Sequence, residues 1–378
     1  MKRVVALVVA AALVTGAIVV NRWLSRDDGP SVPGRTVGTA SGPFQIVCAT
    51  EFERPCRRLA TQDAMQGVAT FSVLDPGATV DGLLQDPTPA FDLWLTSKPW
   101  DEIAAFRAER RGRAAPRLGA ATEVLANTPL SAVARTGFGV IDPTRPAPPP
   151  AGGRTAFERD VLPVFCAPFG SGSPISGACL AAATGRPIQE LVTDDGTSPF
   201  RLDSSIRSKR FTVGVAPAST TEGVLAIAAF TTGWFGGSLD QGAIDASDEF
   251  RSGFTALADT ALVSRRPVTV LIEGGPASLA LGLAVKRDLV DAAATDRFAE
   301  IKFTGTPTVD PDPPSMVSAE AVLVPAATDT GRAALRAIDR QAIAEAVVFG
   351  GWNRGPSPLP GIPLDAALLD RLAAQWSA

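Results

Sequence analysis

The stretch Phe211-Thr-Val-Gly-Val-Ala-Pro-Ala-Ser-Thr-Thr-Glu-Gly-Val-Leu-Ala-Ile-Ala-Ala-Phe230 decides how this chain is read. Its first residues read as a buried strand, Ala216-Pro-Ala218 as a small-residue turn, and the rest as a helix opening at the hydroxyls of Ser219, Thr220 and Thr221. A helix start leaves free backbone N–H groups and partial positive charge, a natural seat for a carboxylate or an oxyanion. Ser219-Thr-Thr-Glu222 also fits a capping box, in which the first hydroxyl and the Glu satisfy backbone donors reciprocally. The same residues therefore serve a helix start alone, or a helix start and a ligand. Glu222 opposes a strongly charged oxyanion at that point.

Working outward, a βα rhythm begins at Phe44. The pattern predicts strands at Phe44–Ala49, Val68–Val73 and Phe91–Leu95, with helices at Pro55–Met65, Thr79–Gln85 and Trp100–Arg110. Glu123–Arg135 reads as a strand broken at Asn127-Thr-Pro129, and a proline-rich connection follows at Thr144–Pro150. Further helices are predicted at Thr155–Val161, Ile175–Ala183, Asp245–Asp259 and Pro276–Ala293, with a strand at Val268–Ile272. A strand at Ala319–Val324, a long helix at Thr330–Val348 and a closing helix at Leu364–Trp376 complete the pattern. Strands alternating with helices imply an α/β fold of mostly parallel sheets covered on both faces. Two such blocks joined near residue 131 imply two lobes, with the C-terminal helices returning to the first.

Ligand clefts in folds of this kind lie at the carboxyl ends of the strands. Position at strand ends makes Thr50, Glu51, Ser97 and Trp100 candidates, beside Thr128 and Ser131 on the crossing segment and Ser219, Thr220 and Thr221 at the helix start. Glu273-Gly-Gly-Pro276 reads as a strand-to-helix turn and adds Glu273.

Composition narrows the chemistry. The 378 residues carry a net charge of −4, without the basic footprint a nucleic-acid binder needs. There is no His and no Tyr, which removes Ser-His-Asp triads, His-ligated metals and imidazole acid–base work. Carboxylate pairs at Asp194 with Asp195 and at Asp310 with Asp312 fall in loops, with no nucleophile and base beside them. The expectation is a binding protein, with no cofactor and no metal.

The N-terminus opens with Lys2-Arg3 and runs apolar from Val4 to Val20 before Asn21, Arg22, Trp23 and Arg26. At about 1.5 Å per residue this run barely spans a hydrocarbon core of about 30 Å, with Trp23 and Leu24 at the interface. It reads as an uncleaved membrane anchor over 1–25, a cleaved export signal being the competing reading. Residues 26–43, rich in Gly, Pro, Ser and Thr, read as a flexible tether. Both readings of the N-terminus export the remainder of the chain. Export suits the cysteines, which read as two local disulfides, Cys48 with Cys56 and Cys166 with Cys179, free buried thiols being the competing reading. A site using all four thiolates for zinc is disfavoured, since the spacings are too wide for C-x2-C knuckles.

Several short motifs, in order, carry a resemblance. Phe91-Asp-Leu-Trp-Leu-Thr-Ser-Lys-Pro-Trp100, Ala126-Asn-Thr-Pro-Leu-Ser-Ala-Val-Ala134, Val213–Gly223, Arg332–Arg354 and Leu364–Trp376 resemble successive motifs of the bacterial extracytoplasmic solute-binding proteins of the type II, two-lobed class. The likeness is greatest to the actinobacterial branch often fused to von Willebrand factor A domains. Ala216 stands where that family's turn carries Asp, and Thr128 where it carries Ser.

The resemblance covers roughly residues 44–378 and implies a periplasmic-binding-protein-like fold. Lobe 1 would be 44–131 with 316–378, and lobe 2 would be 132–315. It implies capture of a small polar or anionic solute between the lobes, outside the cell at the membrane. An ABC-type permease or another envelope protein would be the partner. The alternative is an envelope scaffold or sensor that keeps this fold and binds no small ligand.

Overall fold

The computed structural model describes residues 35–36, 42–134, 213–234, parts of 241–288, 317–356 and 365–377. Three strands start the first sheet: β1 (Arg35–Thr36), β2 (Phe44–Ala49) and β3 (Ala69–Leu74). In β3, inward Ala69, Phe71 and Val73 alternate with more exposed neighbours, the period of a strand with one face on the core. β4 (Leu93–Ser97) is buried throughout, as a strand covered on both faces must be. Helices α1 (Glu53–Leu59), α2 (Pro76–Gln85) and α3 (Trp100–Arg110) follow β2, β3 and β4 in turn, so the predicted βα rhythm is present. Pro76 sits in the first turn of α2, where its missing N–H costs nothing.

The next strand is shared by both sheets. β5 (Ala126–Ala134) pairs through Ala126–Pro129 with β9 (Ser318–Pro325), and through Leu130–Ala134 with β8 (Leu281–Val285). Sequence predicted a break at Asn127-Thr-Pro129, yet the strand runs on. Pro129, which has no N–H to give, falls where β5 passes from one partner strand to the other. β8 in turn runs parallel to β6 (Val213–Val215), and β6 parallel to β7 (Leu262–Val263). The path is β1-β3-β2-β4-β9-β5-β8-β6-β7, with β10 (Asn353–Arg354) on β5. β2 is parallel to β3 and β4, but β9 is antiparallel to both β4 and β5. The sheets are therefore mixed rather than mostly parallel.

Four other expectations are corrected. Val268–Ile272, predicted as a strand from its β-branched residues, lies in helix α6 (Pro267–Glu273); α4 (Thr221–Trp234) and α5 (Gln241–Ala246) precede it. Part of the segment Pro276–Ala293, predicted helical, is instead β8. Short apolar runs carry no decisive period, and pairing on both sides outweighs the helix propensity of Leu and Ala. The predicted helix Thr330–Val348 is two helices, α7 (Asp329–Ala337) and α8 (Arg340–Phe349). Asp339 divides them, its carboxylate accepting from the N–H groups of Gln341 and Ala342 as the α8 cap. Part of the expected tether is also ordered, since Arg35–Thr36 pairs with Ser72 and Val73 at the sheet edge.

The closing helix α9 (Ala366–Trp376) lies against α3, as its predicted return to the first block requires. Its buried Asp370 pairs with Arg107 at 2.7 Å and Arg110 at 3.0 Å. Trp376 meets Phe254 edge-on at 5.2 Å, tying α9 to the second block as well. Trp94, Trp100, Phe52, Phe71, Phe250 and Phe254 are fully buried in one continuous core.

Cys48 on β2 and Cys56 on α1 form a disulfide with Cα atoms 6.7 Å apart, as predicted. Removing it in a Cys48→Ala/Cys56→Ala pair is expected to cost about 2–3 kcal/mol, the loop-closure value for so short a loop, read from the urea midpoint. Cys166, Cys179, the loop carboxylates, the helices predicted at Thr155–Val161 and Ile175–Ala183, and the N-terminal anchor lie outside the described residues. No helix among the described residues is long and apolar enough to cross a membrane.

Candidate functional site

At the end of β2 the chain turns through a short 3-10 helix, Thr50–Phe52, which carries Glu51 inward to 2% exposure. At the end of β4, buried Ser97 donates its hydroxyl hydrogen to Glu51 Oε1 at 3.0 Å. Trp100 opens α3, and its indole Nε1 donates to Thr221 Oγ1 at 2.9 Å. Thr221 completes the set by donating to the same Glu51 Oε1 at 2.5 Å. Three strand-to-helix junctions thus meet on one carboxylate oxygen. Two of them belong to the first sheet, while the third follows β6 of the second.

The helix start itself is shifted by one residue from the predicted capping box. Thr220, not Ser219, is the cap: its Oγ1 accepts from Gly223 N–H at 3.2 Å and donates to the Pro217 carbonyl at 2.7 Å. Gly223 has no alternative here, because a Cβ would lie 2.0 Å from the Pro217 oxygen. Ser219 is exposed and turns away, its carbonyl accepting from Gly77 N–H at 3.0 Å. With Arg107, Arg110 and Asp370 it borders a separate cavity of about 240 Å³.

Glu222 does not return to the cap either. It reaches Arg287 Nη2 at 3.1 Å, and Arg287 also holds Asp288 at 2.6 Å. The Arg287 backbone N–H donates to Thr128 Oγ1 at 3.3 Å, which brings the crossing strand into the same cluster. Gly351, at φ 96°, packs on Arg287, and a Cβ there would come within 3.4 Å of the side chain.

Of the predicted residues, the structure gathers Glu51, Ser97, Trp100, Thr128 and Thr221, with Thr220 as the adjoining cap. Thr50 stands half-buried at the same turn, its carbonyl accepting from Glu53 N–H. Ser131 pairs through its backbone with Ala284 on β8, further along β5. Glu273 ends helix α6 and is not in a strand-to-helix turn. The side chains of Ser131 and Glu273 lie outside the described residues.

Arg287 and Asp288 were missed by sequence. Their signal was a charged Lys286-Arg-Asp288 following the apolar run Leu281–Val285. Read as helix, those charges face solvent; read as a strand end, they fall at the junction.

Among the described residues the cluster is short of positive charge. Burial raises the Glu51 carboxyl above its ordinary range, against the pull of the Thr221 hydrogen bond and of Arg287. Burial and the neighbouring Asp288 push Glu222 up to about 8, although Arg287 pulls the other way. Burial acts to lower the basicity of Arg287, but Asp288, Glu222 and Glu51 outweigh it and the net shift is upward. Glu51 Oε2 is buried with no hydrogen-bond partner. No group of three or more His, Cys, Asp or Glu placed to hold a metal ion is found among the described residues.

No protein-family profile and no curated protein matches the sequence. Solved structures do align over most of the chain. Iron-bound HitA from Pseudomonas aeruginosa aligns at 10% identity with a TM-score of 0.48, over 88% of this chain and 97% of its own. A periplasmic thiamin-binding protein gives 10% and 0.45 over 90% and 98%, and the periplasmic binding protein P5PA gives 10% and 0.45 over 89% and 99%. The likeness is to periplasmic binding proteins. At these identities and scores, the chain's own strand order and side chains must carry any reading of function.

Proposed function

We propose that this chain is an extracytoplasmic solute-binding protein. It closes two lobes, 44–131 with 316–378 and 132–315, over a small polar solute at their seam, and its N-terminal segment holds it to the membrane. One observation supports this above the others. Side chains from the ends of β2 and β4 meet the helix start after β6 at a single point, beside the strand shared by both sheets. Hydroxyls and an indole N–H that bond one another in the closed seam are the groups that would regrip a solute when the lobes part and close.

The test is thermal unfolding against a panel of amines, amino acids, sugars and oxyanions, followed by calorimetry on any hit. A true solute at about 100 times its Kd stabilises by about 2.7 kcal/mol. Thr221→Val, which removes the hydroxyl linking Glu51 and Trp100, should then weaken binding about tenfold or more while the fold persists. Unchanged affinity in that variant removes the seam from the site.

A second reading, an envelope scaffold with this fold and no small ligand, is favoured by one feature. Ser97, Trp100 and Thr221 already satisfy one another and Glu51 without a solute. A panel in which nothing shifts the midpoint supports that reading. Partners in either case, a permease or another envelope protein, would be sought by crosslinking in membranes.

A further inference from the structure

Resting on the solute-binding reading, we infer that the solute gripped at this seam is a cation, carrying a protonated amine, rather than an anion. The charges decide it. Among the described residues Glu51, Glu222 and Asp288 share one guanidinium, Arg287, so ionising all three would leave an excess of two negative charges. Burial suppresses that excess by keeping protons on Glu51 and Glu222, and a cation supplies the counter-charge that lets them ionise. Lys98, which follows β4, is engaged elsewhere, facing Glu320 at 3.7 Å and acting on Asp101. An anion would add to that excess in a place from which water is excluded, where repulsion between like charges is strongest.

The second observation is the free oxygen. Glu51 Oε1 already accepts from Ser97 and Thr221, whereas Oε2 is buried without any donor. A buried carboxylate oxygen left without a partner costs more than a neutral acceptor would, and an ammonium N–H is the donor that restores it with charge as well as a hydrogen bond. The helix start, which the sequence offers as an oxyanion seat, is partly occupied and carries a carboxylate of its own. Thr220 Oγ1 takes the Gly223 N–H, and Glu222 lies in the first turn beside it.

The cation also explains why the hydroxyls converge on a carboxylate. Ser97 and Thr221 hold Glu51 in one orientation through Oε1, so that Oε2 keeps a fixed direction. A recognising carboxylate needs that pre-organisation if binding is not to spend its energy on ordering the side chain.

The test uses the full chain at pH 7.5 and fixed ionic strength. The probes are methylammonium, choline, putrescine and arginine as cations, glutamate, phosphate and sulfate as anions, and glucose as a neutral control. At least one cation should raise the unfolding midpoint in a saturable way, where equal concentrations of sodium chloride do not. Glu51→Gln should weaken that cation's binding at least tenfold. Should Glu51→Gln not fold, Glu222→Gln supplies the second variant and is expected to weaken binding by a smaller factor. Stabilisation by an anion or by glucose, with no effect of any amine, overturns the cation assignment and leaves solute binding standing. An amine effect that survives in both Gln variants also overturns it. Silence from every probe overturns both readings together.

Discussion

Arg287→Met is expected to destabilise the protein by about 3–5 kcal/mol, the range found when one partner of a buried charge network is removed. Among the described residues the guanidinium is the single cation in contact with Glu222 and Asp288, and its side chain is only 12% exposed. Met fills much of the same space, so the loss is not a cavity effect. What remains is a pair of carboxylates without that counter-charge, at 11% and 24% exposure, which water solvates only in part. Urea denaturation reads the loss directly. Combining Arg287→Met with Glu222→Gln and Asp288→Asn should recover a large part of it, because neutralising a whole network is far milder than leaving half of it charged. A loss below about 1 kcal/mol for Arg287→Met alone would mean that solvent already screens the cluster, since exposed pairs contribute no more than that.

The same cluster shows what could be read from the chain beforehand. The β2–α1, β3–α2 and β4–α3 units were legible because each strand is short, apolar and closed by a helix signal. Phe44–Ala49 and Trp100–Arg110 match their predicted bounds. Glu51, Ser97, Trp100 and Thr221 were legible as site candidates for a geometric reason, as parallel strands bring their carboxyl ends to one edge whatever the side chains are. Their partners were not. Arg287 and Asp288 depend on Leu281–Val285 being a strand, and that is decided by pairing with β5 and β6, contacts distant in sequence. The capping residue was misplaced by one position for a similar reason. Thr220 and Ser219 are both good caps, and packing chooses between them: Gly77 against Ser219 and Pro217 against Gly223 leave only Thr220 facing the helix start. The direction of Glu222 followed from the same choice, since it turns to a guanidinium that the local sequence does not contain.

Stability should fall as pH rises from about 5 to about 8.5. Glu222 is the main cause. Its carboxyl moves from an ordinary 4.5 to about 8 in the folded state, because burial and Asp288, with Glu51 behind them, outweigh the attraction of Arg287. A raised carboxyl keeps its proton over an interval in which the unfolded chain has released it. Folding therefore takes up a proton there, and its contribution, complete below about 4.5, is lost as pH climbs to the folded value. A shift of that size carries on the order of 3–5 kcal/mol, and Glu51, raised in the same direction by burial, adds to it with the same sign. The urea midpoint measured at half-unit steps of pH should thus decline across the neutral range. Glu222→Gln should flatten much of the decline by fixing the neutral form, and Glu51→Gln with Glu222→Gln should flatten more, leaving the slope that Asp101 and Glu102, also raised by burial, contribute. A midpoint that holds steady or rises between pH 5 and 8.5 in the unmodified protein would show that these carboxylates are ionised and compensated in the fold. The case for a seam short of positive charge would then fail, and with it the reason to expect a cation there.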